Sequence, residues 1–440
     1  MRYFRTVLVL LLLGFVSLQP AQAIILEEHN LEETITLPIN TTGLDEVLPI
    51  SISSNAQFNE SYSFPGNGSK TNPYVIENLF ISLNTSDWGT HGYSCIEISN
   101  TDCYFVIHNC TLMGYVRWDD DPQYVEPVID IKGSGIRLVD VENAEIYNNT
   151  IVVTNFPIDT NLLVSSTIHH NRVYGNVING VPGEYGVNGI HLNVDSHNNS
   201  VEFNSIQNCS VGIQLSGARH NLVKNNTVFN CDAGVEISSF SERNTAFGNN
   251  CSYNWQTGIS LMQTSFNSIL NNTCTWNGIC GILVPREAMN TTITGNLVYA
   301  NGGYEYDMEA VGYGIWIQEE SSENEVVWND IIDNDINAKN DVAGNTYDLN
   351  FWSDYSGTDE NEDGIGDTPY EIHGAAQTND ENPRMRPQFT VPPREFPTTG
   401  PTSTPTTSPT SPDNSMLIIL GGVGVAAIVI LVAVFQIRKR

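Results

Sequence analysis

Positive charge is scarce in this chain: 18 Lys and Arg stand against 50 Asp and Glu in 440 residues. Five of the 18 (Arg2, Arg5, Arg438, Lys439 and Arg440) belong to the two ends, so 13 basic residues face 50 acidic ones between them, a balance of about −37. Such a field repels nucleic acid and anionic lipid, attracts cations, and suits solubility in a saline or calcium-rich exterior. No His-x-x-x-His spacing and no Met-rich run occurs. Copper, which favours clustered imidazole and sulfur donors, is therefore not an expected cofactor. His170, His197 and His220 fall near one repeat position, where exposed turn residues are the simpler reading.

Two apolar runs mark the ends. Residues 1–23 read as a signal peptide, with Arg2 and Arg5 before Val7–Val16 and a small-residue site at Ala21-Gln22-Ala23. Met416–Ile437 carries no charge over 22 residues and is followed at once by Arg438-Lys439-Arg440. That pattern predicts a single transmembrane α-helix with residues 438–440 in the cytoplasm and the ectodomain outside the cell. Residues 390–415 are rich in Pro, Thr and Ser and predict an extended stalk. The exported part contains eight cysteines and Asn-x-Ser/Thr sequons such as Asn40, Asn67, Asn84, Asn225, Asn271 and Asn290.

Between the ends lies a repeat. Gly189-Ile-x-Leu, Gly212-Ile-x-Leu, Gly234-Val-x-Ile, Gly258-Ile-x-Leu, Gly281-Ile-x-Val and Gly314-Ile-x-Ile follow at steps of 23, 22, 24, 23 and 33 residues. Three asparagine columns travel with them: Asn199, 221, 244, 267, 290 and 324; Asn204, 226, 250, 272, 296 and 329; and Asn208, 230, 254, 277, 301 and 334. Single aliphatic residues between the columns, such as Val201, Val223 and Ile269, fit inward positions of short strands. The period predicts an all-β fold, a right-handed parallel β-helix of three-strand rungs and about ten coils. Asparagine suits its corners by tolerating left-handed backbone and by stacking amide on amide between rungs. The predicted layout is a lead-in at 24–62, the coil at 63–340, a cap at 341–389, the stalk at 390–415 and the span at 416–437.

Several residue sets are candidates for chemistry. Cys209 and Cys231 each follow a third-column Asn one rung apart, about 4.8 Å, which predicts a disulfide. In the cap, Asp359, Asn361, Asp363, Ile365 and Asp367 alternate like a calcium loop around Gly364, although Tyr370 replaces the usual bidentate Glu. The best carboxylate cluster for hydrolysis is Asp330, Asp333 and Asp335, which forms no complete catalytic set. Three lengthened rungs carry Tyr115, Trp118, Tyr124, Tyr185, Tyr304, Tyr306, Asp307 and Tyr313 at one corner. Rings beside carboxylates suit sugars, so this edge is expected to bind a glycan or a neighbouring surface protein.

The entry segment Phe64–Asn78, the Asn-rich rungs, and Trp352-Ser-Asp-Tyr through Gly364-Ile-Gly-Asp-Thr-Pro-Tyr370 resemble the NosD-type periplasmic copper-binding β-helix family over roughly residues 63–372. The resemblance implies the fold and, by the family's name, a copper-handling role. The predicted stalk and span depart from a soluble periplasmic factor and resemble archaeal surface proteins. The expectation is a non-catalytic surface binding or adhesion protein. A polysaccharide hydrolase or lyase, and a copper accessory, stand as alternatives.

Overall fold

The computed structural model describes residues 41–83, 94–114, 134–153, 161–180, 187–302 and 311–391. The predicted leader, stalk and transmembrane segment lie outside these residues. No helix among the described residues is long and apolar enough to cross a membrane.

The described strands form three sheets, A, B and C, of 12, 11 and 13 strands, and the chain visits C, A and B in turn within each rung. One rung runs through Ser200–Glu202 in C, Ser205–Gln207 in A and Val211–Ser216 in B. Each residue pairs in parallel with its equivalent one rung on: Val201 with Val223, Ile206 with Val228, Ile213 with Val235. Because the parallel register does not slip in sheet C, the middle residue of each three-residue strand points inward. Ile146, Val173, Val201, Val223, Ala246, Ile269, Ile293 and Val326 make one buried file. From Asn188–Leu192 to Tyr313–Ile317 the recurrent glycine is the second residue of each sheet B strand, where the strand passes close to sheet A. A Cβ on Gly212 would lie 2.1 Å from Val228 Cγ1. The fold is a parallel β-helix, as the period predicts.

The asparagines do two separate jobs. At each corner one residue takes positive φ, and the residue after it turns its side chain inside. The longest internal ladder runs Asn149, 176, 204, 226, 249, 272, 296, 329 and 350. In it each Nδ2 donates to the next Oδ1 at 2.9–3.0 Å. Each Oδ1 also accepts the preceding ladder residue's backbone N–H, and each Nδ2 also donates to a core carbonyl, as Asn226 does to Val201. The predicted columns therefore need three corrections. Asn249, not Asn250, is the ladder member. Thr291 takes the internal place expected of Asn290, which has φ 54°. Asn208 and Asn230 are the left-handed residues, and Cys209 and Cys231 hold the internal positions.

The coil also extends past its predicted limits. Asp45–Glu46 and Ile50–Ile52, expected in a lead-in, already pair in sheets A and B. Phe58 from the short helix Gln57–Glu60 is buried on Tyr74 at 4.8 Å and on Phe105 at 5.3 Å. At the far end Asp380 terminates the long ladder. Its Oδ2 accepts Asn350 N, Asn350 Nδ2 and Trp352 Nε1 at 2.9–3.1 Å.

Replacing a ladder residue tests this construction. Asn226→Ala leaves the backbone N–H and Nδ2 of Asn204 without their acceptor inside the coil. Two orphaned buried donors should lower stability by roughly 2–4 kcal/mol, seen as a lower urea midpoint with unchanged slope. A loss under about 0.5 kcal/mol, typical of surface changes, would show that the ladder is not structural.

Candidate functional site

The internal positions are committed to the fold, so function must be sought on the outward ones. In sheet B the x of Gly-Ile-x-Leu forms an outward file: His191, Gln214, Glu236, Ser260, Leu283, Trp316 and Lys339, in register rung on rung. Polar members bind one another along it. Gln214 Nε2 donates to Glu236 Oε1 at 2.9 Å, and Asn188 Nδ2 donates to Gln214 Oε1 at 2.7 Å.

The file ends in an aromatic and charged cluster. The rings of Tyr313 and Trp316 lie 4.2 Å apart, tilted by 34°. Lys339 Nζ stands 4.5 Å from the Trp316 centroid and 5.7 Å from that of Tyr313. Trp316 Nε1 donates to Asp341 Oδ2 at 3.0 Å, and Lys339 pairs with the same oxygen at 3.3 Å. Burial works to raise the Asp341 carboxyl, but the indole N–H and the Lys339 ammonium outweigh it and hold the carboxyl below its ordinary value. Tyr313 and Trp316 are half-buried, so the cluster offers apolar ring surface beside a fixed donor and acceptor. Sequence reasoning found Tyr313 but missed Trp316, Lys339 and Asp341. The signal was present, since Trp316 is the x of Gly314-Ile315-x-Ile317.

The cluster flanks the corner through which the chain passes from sheet A to sheet B. Residues 115–133, 181–186 and 303–310 each connect a sheet A strand to a sheet B strand, as the expected binding edge requires. Tyr115, Trp118, Tyr124, Tyr185, Tyr304, Tyr306 and Asp307 all lie outside the described residues.

The other predicted sets fare differently. Asp330 is no solvated acid: it is fully buried, pairs with Arg384 Nη2, and accepts the N–H groups of Gln388 and Phe389. Asp335 is exposed and accepts Gly312 N–H at 2.8 Å, while Asp333 is exposed on the left-handed turn before it. Asp330 and Asp335 thus serve separate structural contacts, and the three acids share no common partner. Cys209 and Cys231 are buried on adjacent rungs, and both stand as free thiols in this structure. Each thiol donates to a carbonyl of its own rung, Gln207 O at 3.3 Å and Phe229 O at 3.5 Å.

In the cap loop, Asp359 accepts the N–H groups of Asp363 and Gly364 at 3.1 and 2.9 Å. Asp363 accepts that of Ile365, Asn361 that of Asp363, and Asp367 that of Glu360. These side chains are therefore turned onto the loop's own backbone. No group of three or more His, Cys, Asp or Glu among the described residues is placed to hold a metal ion.

A shallow hollow of about 290 Å³ lies at the corner between sheets B and C, lined by Asp102, Asp140, Glu142 and His169 among others. Beside it His169 and His197 stack face to face at 3.7 Å, and Asn198 Nδ2 lies 3.1 Å from His197 Nδ1. Stacked imidazoles aim their nitrogens alongside one another rather than at a common point, and this geometry does not fit copper ligation.

Comparison with known proteins adds the following. A family model described as periplasmic copper-binding protein (NosD) matches residues 142–364, just over half of the chain. No curated protein matches. Among solved structures, the Azotobacter vinelandii mannuronan C-5 epimerase AlgE4 A-module is similar at 14% identity and TM-score 0.37, covering 69% of this chain and 91% of that one. An alginate lyase from a Paenibacillus species is similar at 15% identity and TM-score 0.40, covering 68% and 97%. The Dettilon tailspike protein gives 16% identity and TM-score 0.38, covering 65% and 60%.

The outward file makes one pH prediction. Burial lowers the His191 imidazole from 6.5 to about 4, so the unfolded chain binds the extra proton between those values. Stability is then full above pH 6.5 and falls as the pH drops toward 4, by on the order of 3 kcal/mol. Urea titrations across that range should show a shallower acid loss for His191→Gln than for the parent. Parallel curves would refute the assignment.

Proposed function

The chain belongs to the NosD family of β-helix proteins, and on that footing we propose that it is a non-catalytic glycan-binding protein of the cell surface. The observation that carries this reading is the Tyr313–Trp316–Lys339–Asp341 cluster, which puts ring surface, a cation and a fixed carboxylate on one outward face. Sugars offer C–H faces to rings and hydroxyls to charged groups, and the cluster supplies both partners. Catalysis is disfavoured because Asp330, the strongest hydrolytic candidate, is already spent on Arg384 inside the coil. In this reading residues 416–437 anchor the chain in the cell membrane, the 390–415 stalk raises the coil, and the residues of the lengthened rungs extend the binding edge.

Trp316→Ala should weaken binding to a glycan-array ligand by about tenfold, the ~1.4 kcal/mol that one aromatic contact supplies, without lowering the urea midpoint by more than a surface change. Undiminished binding by this variant would remove the cluster from the function.

We also propose that the 359–367 loop takes a calcium ion, with Asp359, Asn361, Asp363 and Asp367 supplying side-chain oxygens and Ile365 its carbonyl. What supports it is the alternation of those oxygens about Gly364 at φ 86°. A ligand that binds only the folded cap raises its stability. Calcium should therefore raise the melting temperature by several degrees, chelator should reverse the rise, and Asp363→Asn should abolish it. A melting temperature indifferent to calcium would dismiss the ion.

A further inference from the structure

The sequons cannot be ranked from sequence alone, but the corner between sheets C and A separates them. One residue per rung there has positive φ, in the order Asn109, Asn148, Gly175, Phe203, Asn225, Gly248, Asn271 and Gly295. The residue that follows is internal, a ladder asparagine from Asn149 onward, and the one after it begins a sheet A strand. Three rungs read Asn-Asn-Thr at this corner, beginning at Asn148, Asn225 and Asn271. In each, the first Asn is the outward corner residue, and only the second is committed to the interior.

The rung after each of these three carries a glycine. A Cβ on Gly175, Gly248 or Gly295 would stand 3.0, 2.5 or 2.2 Å from Oδ1 of Asn148, Asn225 or Asn271. The missing side chain lets the amide oxygen lean over the next rung. None of the three side-chain amides makes a hydrogen bond with a described residue. Asn148 and Asn271 are exposed and Asn225 half-buried.

Other sequons differ in kind. Asn208 is 6% exposed and its Nδ2 donates to Asn179 Oδ1 at 2.6 Å. Asn198 Nδ2 is engaged with His197 Nδ1 at 3.1 Å, and Asn250 Oδ1 accepts Ser252 Oγ at 2.5 Å. Asn109 has Asn148 rather than glycine on the next rung, where a second glycan would stand only about 4.8 Å away.

We propose that Asn148, Asn225 and Asn271 are N-glycosylated, so that the corner between sheets C and A is a carbohydrate-clad edge. In the reaction, Nδ2 of the asparagine bonds to the anomeric carbon of an oligosaccharide carried on an isoprenoid phosphate or diphosphate. The bond from that carbon to the phosphate oxygen breaks, the lipid phosphate departs, and the amide loses one proton. Three rungs separate Asn148 from Asn225 and two separate Asn225 from Asn271, roughly 14 and 10 Å, enough for chains to stand side by side. With three sheets to a turn, this corner lies opposite sheet B, so the glycans leave the Trp316 face open. The proposal stands on the corner geometry and does not depend on the glycan-binding reading.

The test is peptide mass spectrometry on the full chain isolated from the cells that export it. Sugar mass is expected on the peptides of Asn148, Asn225 and Asn271, with those of Asn208, Asn198, Asn250 and Asn109 bare. Thr227→Ala keeps the Asn225 amide and its corner but removes the acceptor sequon, and should lose one glycan's mass without a change in melting temperature. Asn225→Gln should lose the same mass and guards against a folding effect of the threonine change. Sugar on at least two of the three sites with Asn208 bare supports the assignment. Sugar on fewer than two, or any on Asn208, overturns it.

Discussion

The coil depends on the satisfaction of its buried amides. An asparagine side chain sealed in a protein interior is costly unless its donors and acceptor are all engaged. Here each ladder amide is engaged by the rungs on either side of it. The file has a direction, because every Nδ2 looks forward to the next Oδ1. Its last member, Asn350, must therefore meet an acceptor that needs no further rung. A carboxylate meets that need, and Asp380 uses both oxygens, the second accepting the N–H groups of Leu349 and Asn382 at 3.1 Å. Burial raises the Asp380 carboxyl above its ordinary value, while the surrounding N–H donors act against that rise. The cap is the electrostatic terminus of the ladder as well as a cover for the last strands.

That terminus also explains where the outward cluster sits. Lys339 and Asp341 lie in and just beyond Ile336–Asn340, the last strand of sheet B. Asn340 N donates to His373 O at 2.7 Å, and Asp341 Oδ1 accepts Ala375 N–H at 3.4 Å, so the cap holds the strand from the far side. Arg384, reaching Asp330 and the carbonyls of Asn329 and Leu349, ties the same cap to the neighbouring rung. The aromatic cluster thus stands on rungs that the cap braces. A binding site gains from side chains that need no reordering when a ligand arrives.

Most of the fold was legible because the period is enforced by stacking: a residue that departs from its file disturbs two neighbours. The errors fall where adjacent polar residues share a corner. In Gly248-Asn249-Asn250 the glycine is the left-handed residue, the first asparagine is internal and the second already begins a strand, whereas in Asn290-Thr291 the asparagine is left-handed and the threonine internal, and sequence alone does not separate these places. The same ambiguity hid that Cys209 and Cys231 occupy internal positions. The acids misled for another reason. Asp330 looks like its exposed neighbours Asp333 and Asp335 until Arg384, 54 residues away, is brought beside it. Trp316 occupies the variable place inside the glycine motif, where His191, Gln214, Glu236, Ser260 and Leu283 stand in other rungs and no recurring residue type marks a site.

The three corners are unequal, and the ladders say why. At the corner between sheets C and A the ladder is unbroken from Asn149 to Asn350, and the turn has one left-handed residue with no slack. An inserted residue there would separate two amides that must touch, so this corner can vary only outward. At the corner between A and B the ladder begins only at Asn254. The connections at 84–93, 115–133, 154–160 and 181–186 all fall in earlier rungs, where the amide file among the described residues is a short one, from Asn230 through Asn208 to Asn179, that closes just before the 181–186 connection. The insertion at 303–310 comes after Asn301 has already made its bond to Asn334. Elaboration is therefore admitted where the amide file is absent or already closed. For that reason the lengthened loops border sheet B, and the tight edge opposite can carry only what is attached to a single outward side chain.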